Sequence, residues 1–320
     1  VARPIFKTQF SILLFAALIL AFLFFGCTGN DGQPAKPAPI SNLGGIQLAS
    51  VKADLVMYLD MEKTDSSQGL YQFAANISGQ SFEKSLSPIR LATGIDRRKI
   101  SSLVSVFKNS DKTYRAIIID GSFSVNENLP PMFSDSQSDY GGIKLYFFGQ
   151  GQSQTALAIL GSKTVVAGSP QAVKDTIDTY LGSKPFFSSA RMAVFSKVQK
   201  GSFFALGSKP SPDGDLFPNS QFFALGAVQP NKGEDKITIV GFAQFEDEAA
   251  AARGYSHASS SVGQIRELSS LLGSNSQLNS ILSTVEFEKD GAMVKVFASG
   301  TFDQFISAKE ELGAKAIPGT

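Results

Sequence analysis

The sequence predicts an α+β fold: two similar modules of antiparallel β-hairpins, each with helices packed on one face. Three observations carry this. Short apolar runs rich in Val, Ile and Phe recur between Gly, Asn and Asp turn signals, which is the pattern of hairpin strands. Between them stand segments whose apolar residues keep a helical period. And one hairpin has an echo: "SVFKNSDKTYRAIIIDGSF" (Ser105–Phe123) and "VEFEKDGAMVKVFASGTF" (Val285–Phe302) both end in Gly-[Ser/Thr]-Phe, with "VGFAQF" (Val240–Phe245) as a weaker third copy. An internal repeat of this kind places the first module at residues 49–186 and the second at 187–314.

In the first module, "ADLVMYLDM" (Ala53–Met61) reads as a largely buried strand and "LYQFAANIS" (Leu70–Ser78) as a short helix with Leu70, Phe73, Ala74 and Ile77 on one face. "SSLVSVF" and "YRAIIIDGSF" read as a hairpin. "GGIKLYFFG" (Gly141–Gly149), "TALAILG" (Thr155–Gly161) and "KTVVAGS" (Lys163–Ser169) read as three strands, the last two joined at Gly161-Ser162. Ser169-Pro170 then opens a helix, Ser as N-cap and Pro at the first helical position. Val173, Ile177, Tyr180 and Leu181 share its face, and Gly182 follows its end.

In the second module, "SFFALGS" (Ser202–Ser208), "QFFALGAVQ" (Gln221–Gln229) and "KITIVGFAQF" (Lys236–Phe245) read as strands. "EDEAAAARGYSHASSSVGQIRELSSLLG" reads as a long helix whose three leading acids suit the positive helix N-terminus. The final hairpin carries the Asp290-Gly291 turn signal, and Thr301 and Gln304 are spaced as a capping box for a last helix.

The N-terminus differs from all this. Arg3 and Lys7 precede an uncharged run, "FSILLFAALILAFLFF" (Phe10–Phe25), which is long for the apolar region of a signal peptide and short for a full membrane span. Gly26 and Cys27 end the run, and Cys27 is the one cysteine in 320 residues. A small residue directly before a Cys at this boundary resembles the lipobox of bacterial lipoproteins. The resemblance implies cleavage after Gly26 and diacylglyceryl attachment to the Cys27 thiol. The motif departs from the usual one two and three places before the Cys, where it has Phe25 and Phe24, with Leu23 one further back. The other reading is an uncleaved helix with a Cys at its end. Either holds the chain at a membrane, by lipid or by helix, with the positive end cytoplasmic and the body exported. The body is then periplasmic or extracellular, on the cell membrane or the outer membrane. A single Cys makes no internal disulfide, so the exported body is stable by packing.

Residues 1–26 thus read as signal peptide or anchor, and 27–48 as a lipidated Cys and linker. "TGNDGQPAKPAPISNLGG" (Thr28–Gly45) has the composition of a spacer. Fully extended, it reaches at most about 60 Å.

The body resembles a poorly characterised family of secreted bacterial α+β proteins. "ATGIDRRKISSLVSVF", "ALAILGSKTVVAGSPQAVKDTIDTY" and the hairpin before "TFDQF" carry the resemblance. It lends no catalytic residue.

Composition narrows function further. The chain is 43% hydrophobic and 18% charged, enough apolar material for a core. Removing Arg3 and Lys7 from the 29 basic residues leaves 27 against 28 acidic ones, a balance that argues against nucleic acid as partner. With one His and one Cys a zinc or iron site lacks ligands. No cofactor and no metal are expected. A Ser-His-Asp triad could use only His257, in the polar stretch "YSHASSS", and no Gly-x-Ser-x-Gly elbow accompanies it. Ser81-x-x-Lys84 has the spacing of penicillin-interacting enzymes but not their other motifs. Gly149-Gln150-Gly151 lacks the third glycine of a dinucleotide loop. Asp60 and Glu62 flank a strand end and are expected on one side of it, the paired carboxylates of a glycosidase in outline. Asp135 and Asp139, in "MFSDSQSDYGG", read as a solvated loop without EF-hand spacing.

The Phe doublets are the remaining candidates. In strands, Phe147-Phe148, Phe203-Phe204 and Phe222-Phe223 send neighbouring rings to opposite faces; Phe186-Phe187 is a fourth pair. A sheet covered on both faces accounts for them, and an apolar surface or groove for a partner or lipid is the functional alternative. The sequence therefore reads as a membrane-anchored, exported lipoprotein, not an enzyme, with a binding or structural role toward another envelope protein. A carrier of a lipid or other apolar ligand, and a cell-wall hydrolase, are the two alternatives.

Overall fold

In the computed structural model of the chain, the described residues are 45–66, 69–73, 82–125, 129, 136–151, 154–199, 202–209, 216–229, 234–270 and 276–315. Gly26, Cys27 and the linker before Gly45 lie outside them, as do Asp135, Ser81 and the side chain of Lys84. The fold is α+β, and its described strands pair antiparallel. Two compact units divide it. One gathers the described residues of Thr28–Ser66 and Gln80–Ala193, the other those of Ser67–Gly79 and Val194–Thr320.

The first unit is built on the hairpin β2 (Ile100–Lys108) and β3 (Asp111–Gly121), whose β-branched residues suit a buried pleat. Leu103, Val104, Val106, Ala116, Ile118 and Ile119 are all buried. β1 (Leu55–Asp60) pairs with β2 on one side. On the other side of β3 lie β7 (Thr164–Gly168), β6 (Thr155–Ile159), β5 (Ile143–Phe148) and, at the edge, β4 (Ser136–Tyr140). β4 corrects the expected solvated loop. "SQSDY" has too little apolar content to announce a strand, and its pairing is set by the turn that follows. Tyr140 faces Ile143 across Gly141-Gly142, whose φ angles of 61° and 81° are those of a type I′ hairpin turn. Asp139, exposed on this strand, accepts from the Gly142 N–H.

Asp60 and Glu62 do not share a strand face. The strand stops at Asp60 because its carboxylate accepts from the Lys63 N–H and N-caps α1 (Met61–Asp65), which takes Glu62 into a helix. α2 (Phe82–Thr93) follows, with Leu86 and Ile89 buried. α3 (Pro170–Tyr180) packs Val173 and Ile177 inward, as its period implies. Ser169 makes no capping bond with its side chain; it accepts from the Arg115 N–H instead. The helix ends as read, with Gly182 at φ 105° and the Ser183 N–H returning to the Asp178 carbonyl. Tyr180 and Leu181, expected on the buried face, are 40% and 45% exposed.

In the second unit the strand order is β8 (Phe204–Ser208), β9 (Phe222–Val228), β10 (Lys236–Gln244), β12 (Met293–Thr301) and β11 (Glu286–Asp290). α4 (Ser189–Gln199), which the sequence did not announce, leads in, with Val194, Phe195 and Val198 buried. The helical segment at 69–73 inserts Phe73 among Phe203, Phe302 and Phe305, with ring centroids 5.7–5.9 Å apart.

α5 (Glu248–Ser270) starts where the Asp247 carboxylate accepts from the Ala250 N–H. It buries Ala251, Ala258, Val262 and Ile265. Gly254 lies on this stripe because a β-carbon there would stand 2.2 Å from the buried Phe245 ring. α6 (Gln277–Ser283) is short and held at both ends. At its N-terminus the Glu311 carboxylate accepts from Ser276 Oγ at 2.5 Å and from the Gln277 N–H at 3.0 Å. At its C-terminal end Arg266 donates to the Leu282 and Val285 carbonyls, at 2.8 and 2.7 Å. An anion at the first turn and a cation at the last both suit the helix dipole. α7 (Phe302–Lys315) opens with the expected reciprocal box: Gln304 Oε1 accepts from the Thr301 N–H, and Thr301 Oγ1 from the Gln304 N–H.

Candidate functional site

The residues singled out by sequence reach different places. Phe203, Phe204, Phe222 and Phe223 are all buried, as are Phe186 and Phe187, which pack edge to face at 4.8 Å. Both faces of β8 and β9 are covered, so these rings fill core and none forms a surface. Phe147 and Phe148, on β5 beside the edge strand, are only partly covered. His257 is exposed on α5. Among the described residues no three His, Cys, Asp or Glu side chains stand close enough to hold a metal ion. Among them, too, no helix is long and apolar enough to cross a membrane.

A dense polar cluster lies in the first unit, and sequence reasoning missed it. Its centre is Asp175 on α3, 1% exposed. α3 buries Ala172, Thr176 and Thr179 along with its apolar residues, so Asp175 falls on a face that turns inward. The two threonines return their hydroxyls to carbonyls one turn back, Thr176 to Ala172 and Thr179 to Asp175. Asp175 is left to find donors elsewhere. Lys52 Nζ reaches Oδ1 at 2.7 Å, Gln171 Nε2 reaches the same oxygen at 2.8 Å, and the Tyr114 hydroxyl donates to Oδ2 at 3.0 Å. One turn on, Asp178 accepts from the Tyr140 hydroxyl, over whose ring Lys174 Nζ stands at 5.3 Å.

Lys52 belongs to a strap that runs along the sheet beside α3. A 3₁₀ turn (Gly45–Leu48) lies against β2, β3 and α3. The Phe186 N–H donates to the Ala49 carbonyl, and the Val51 N–H to the Lys184 carbonyl. Asp54, buried, accepts from the Asn109 N–H at 2.9 Å. The strap thus passes from the Asp120 end of β3 to the β2–β3 turn, antiparallel to α3.

Burial, helped by the negative charge of Asp175, pushes the Tyr114 phenol well above its usual range. The hydrogen bond to Asp175 raises the Lys52 ammonium as well. Tyr114 therefore stays protonated and Lys52 stays charged near neutral pH. Neither is poised for the proton transfer that general acid–base work needs. What the arrangement does is hold: a buried carboxylate ties a strap, a strand and a helix together.

No protein-family model matches the chain, and no curated protein does. Among solved structures, that of TP0453 in crystal form III is similar at a TM-score of 0.46 and 12% identity, covering 84% of this chain and 99% of that one. A likeness of this size carries no information on activity, ligand or site.

Proposed function

We propose that the protein is a lipid-anchored component of the bacterial cell envelope, exported as a folded α+β body with a non-catalytic binding or structural role. The observation that carries this reading is the uncharged run Phe10–Phe25 closed by Gly26 and the sole cysteine, Cys27. A lone thiol at that boundary needs no second Cys and no metal to serve as a point of attachment. Several acyl chains, at about 0.8 kcal/mol per buried CH₂, make such an attachment stable.

The chemistry of the body is compatible with this role. Asp60 caps a helix, Asp175 is saturated by donors, and His257 stands on an exposed helix face. These groups have structural work or open solvent around them, and no nucleophile is paired with a base in the interactions described above.

Metabolic labelling with an alkyne-bearing fatty acid tests the reading. The wild-type chain takes up the label and Cys27→Ala does not. Equal labelling of both, or of neither, contradicts it.

A further inference from the structure

We propose that the outer edge of β4 pairs with the same edge of a second copy of this chain, antiparallel and centred on Ser138, to form a twofold dimer with one continuous sheet. This goes beyond the anchored reading and does not depend on it.

β4 ends the strand order, and its Ser136, Gln137, Ser138 and Asp139 are all exposed. The turn decides which backbone groups face outward. Tyr140 and Ile143 flank a two-residue turn, so they exchange hydrogen bonds with each other. Along an antiparallel ladder such pairs alternate, so Ser138 with Leu145 and Ser136 with Phe147 do the same. The N–H and C=O groups of Gln137 and Asp139 therefore point away from β5. Among the described residues nothing bonds to these four groups.

An edge of this kind is self-complementary about a twofold axis facing Ser138. Gln137 of each copy meets Asp139 of the other, and the two pairs exchange four hydrogen bonds, which use every outward group of both residues. Ser138 meets Ser138 at a non-hydrogen-bonded position, where side chains come closest and a small one fits. Beyond its short length, the strand lacks the devices that blunt an edge: it has no Pro, Lys or Arg, and its pairing with β5 runs without a register shift.

The side chains select a second copy as the occupant. Asp139 is the strand's one charge, and in this register it faces Gln137, whose amide is a donor. Like charges are nowhere opposite. On the other face Ser136 is too small to cover Phe147, which it opposes and which is only partly buried. Tyr140 of the second copy takes the place beside Ser136 and continues that row. The edge at the other end of the strand order gives the contrast. The same construction on β11 sets Glu288 against Glu288 and Glu286 against Asp290, so charge opposes self-pairing there.

A five-residue edge is a small interface, so covalent capture suits it. The full chain with Cys27→Ala is purified in detergent micelles, one thiol is introduced, and copper phenanthroline oxidises it. Ser138→Cys sets the two thiols at a non-hydrogen-bonded pair, with Cα atoms about 4.5 Å apart and within disulfide range. Gln137→Cys leaves its thiols on a diagonal of about 7–8 Å, beyond that range. Glu288→Cys moves the thiol to the β11 edge. The thiol at 138 is expected to give at least about fivefold more disulfide dimer than either control. Gln137→Pro removes an outward N–H without touching the β4–β5 ladder, and Gln137→Glu sets a second acid opposite Asp139. Each, added to Ser138→Cys, is expected to cut the dimer at least about threefold at an unchanged thermal midpoint. If the proline lowers the midpoint, Gln137→Glu alone decides. No dimer at 138, equal yields at 138, 137 and 288, or a yield at 138 that the change at Gln137 leaves as it was overturns the proposal. So does a cross-link from 138, made in unfractionated membranes, to a chain of different mass, which gives the edge to another protein.

Discussion

Lys52 Nζ stands 2.7 Å from Asp175 Oδ1, joining residues 123 apart in sequence through a carboxylate that is 1% exposed. The pair closes the strap onto α3, and Tyr114 closes it onto β3. Removing a donor leaves part of a buried carboxylate unsatisfied, so Tyr114→Phe is expected to destabilise by roughly 1–3 kcal/mol. Lys52, more than half exposed, is worth less, and Lys52→Met is expected to cost about 1 kcal/mol. Because both donors serve one group, the double variant departs from additivity. Urea unfolding of the four proteins checks this; additive losses near zero contradict the clamp.

The same cluster sets the alkaline limit. Tyr114 and Lys52 both have folded values above those of the unfolded chain, about 10.0 and 10.5. Their contribution is complete below pH 10 and is lost as pH rises, because the unfolded chain then releases protons that the fold retains. Stability is expected to fall above about pH 10, and less steeply in Tyr114→Phe. Tyrosinate absorbance at 295 nm is expected to show Tyr114 silent until the chain unfolds. On the acid side, the hydrogen bonds from Arg98 hold Asp96 at about 2, so its bond to Arg98 is lost only as pH falls below the usual carboxylate range toward that value.

Gly254 and Phe245 give a steric prediction. Alanine favours a helix interior over glycine by about 1 kcal/mol. At position 254 its β-carbon would meet the Phe245 ring at 2.2 Å, and overpacking costs roughly 1–3 kcal/mol. Gly254→Ala is expected to lower the thermal midpoint, and Phe245→Leu in the same chain to recover part of the loss relative to Phe245→Leu alone. A midpoint raised by Gly254→Ala would contradict the packing described.

α6 is too short to be stable by itself. Its ends are held by Glu311 and Arg266. Glu311→Ala is expected to weaken it by about 1–2 kcal/mol, and Arg266→Met similarly. Hydrogen exchange of the amides at 279–283 should speed up in both. Exchange that is unchanged would show that burial of Leu278, Ile281 and Leu282 is sufficient.

Particular residues show what was legible in the sequence and what was not. The capping box at Thr301 and Gln304 formed as spaced, because both partners lie within one turn. The hairpin of β2 and β3 was equally plain, its strands dense in β-branched residues. β4 was hidden because "SQSDY" is an exposed edge and has no apolar face to alternate. α4 was hidden because its buried Val194, Phe195 and Val198 are set among polar residues without a clean helical stripe. Tyr180 and Leu181 kept the helical period of Val173 and Ile177, but at the end of α3 they stand beside the Gly161 and Gly141 turns, where period did not become burial. Asp175 was illegible for another reason. Its meaning depends on Lys52 and Tyr114, which only the topology brings to it.

Whether Cys27 is the point of attachment is read from the mass of the N-terminal peptide of the protein purified from its own membranes. The expected peptide begins at Cys27 and carries a diacylglyceryl group, and the Cys27→Ala chain lacks that mass. An N-terminal peptide that still contains Phe10–Phe25, with an unmodified thiol, would contradict it.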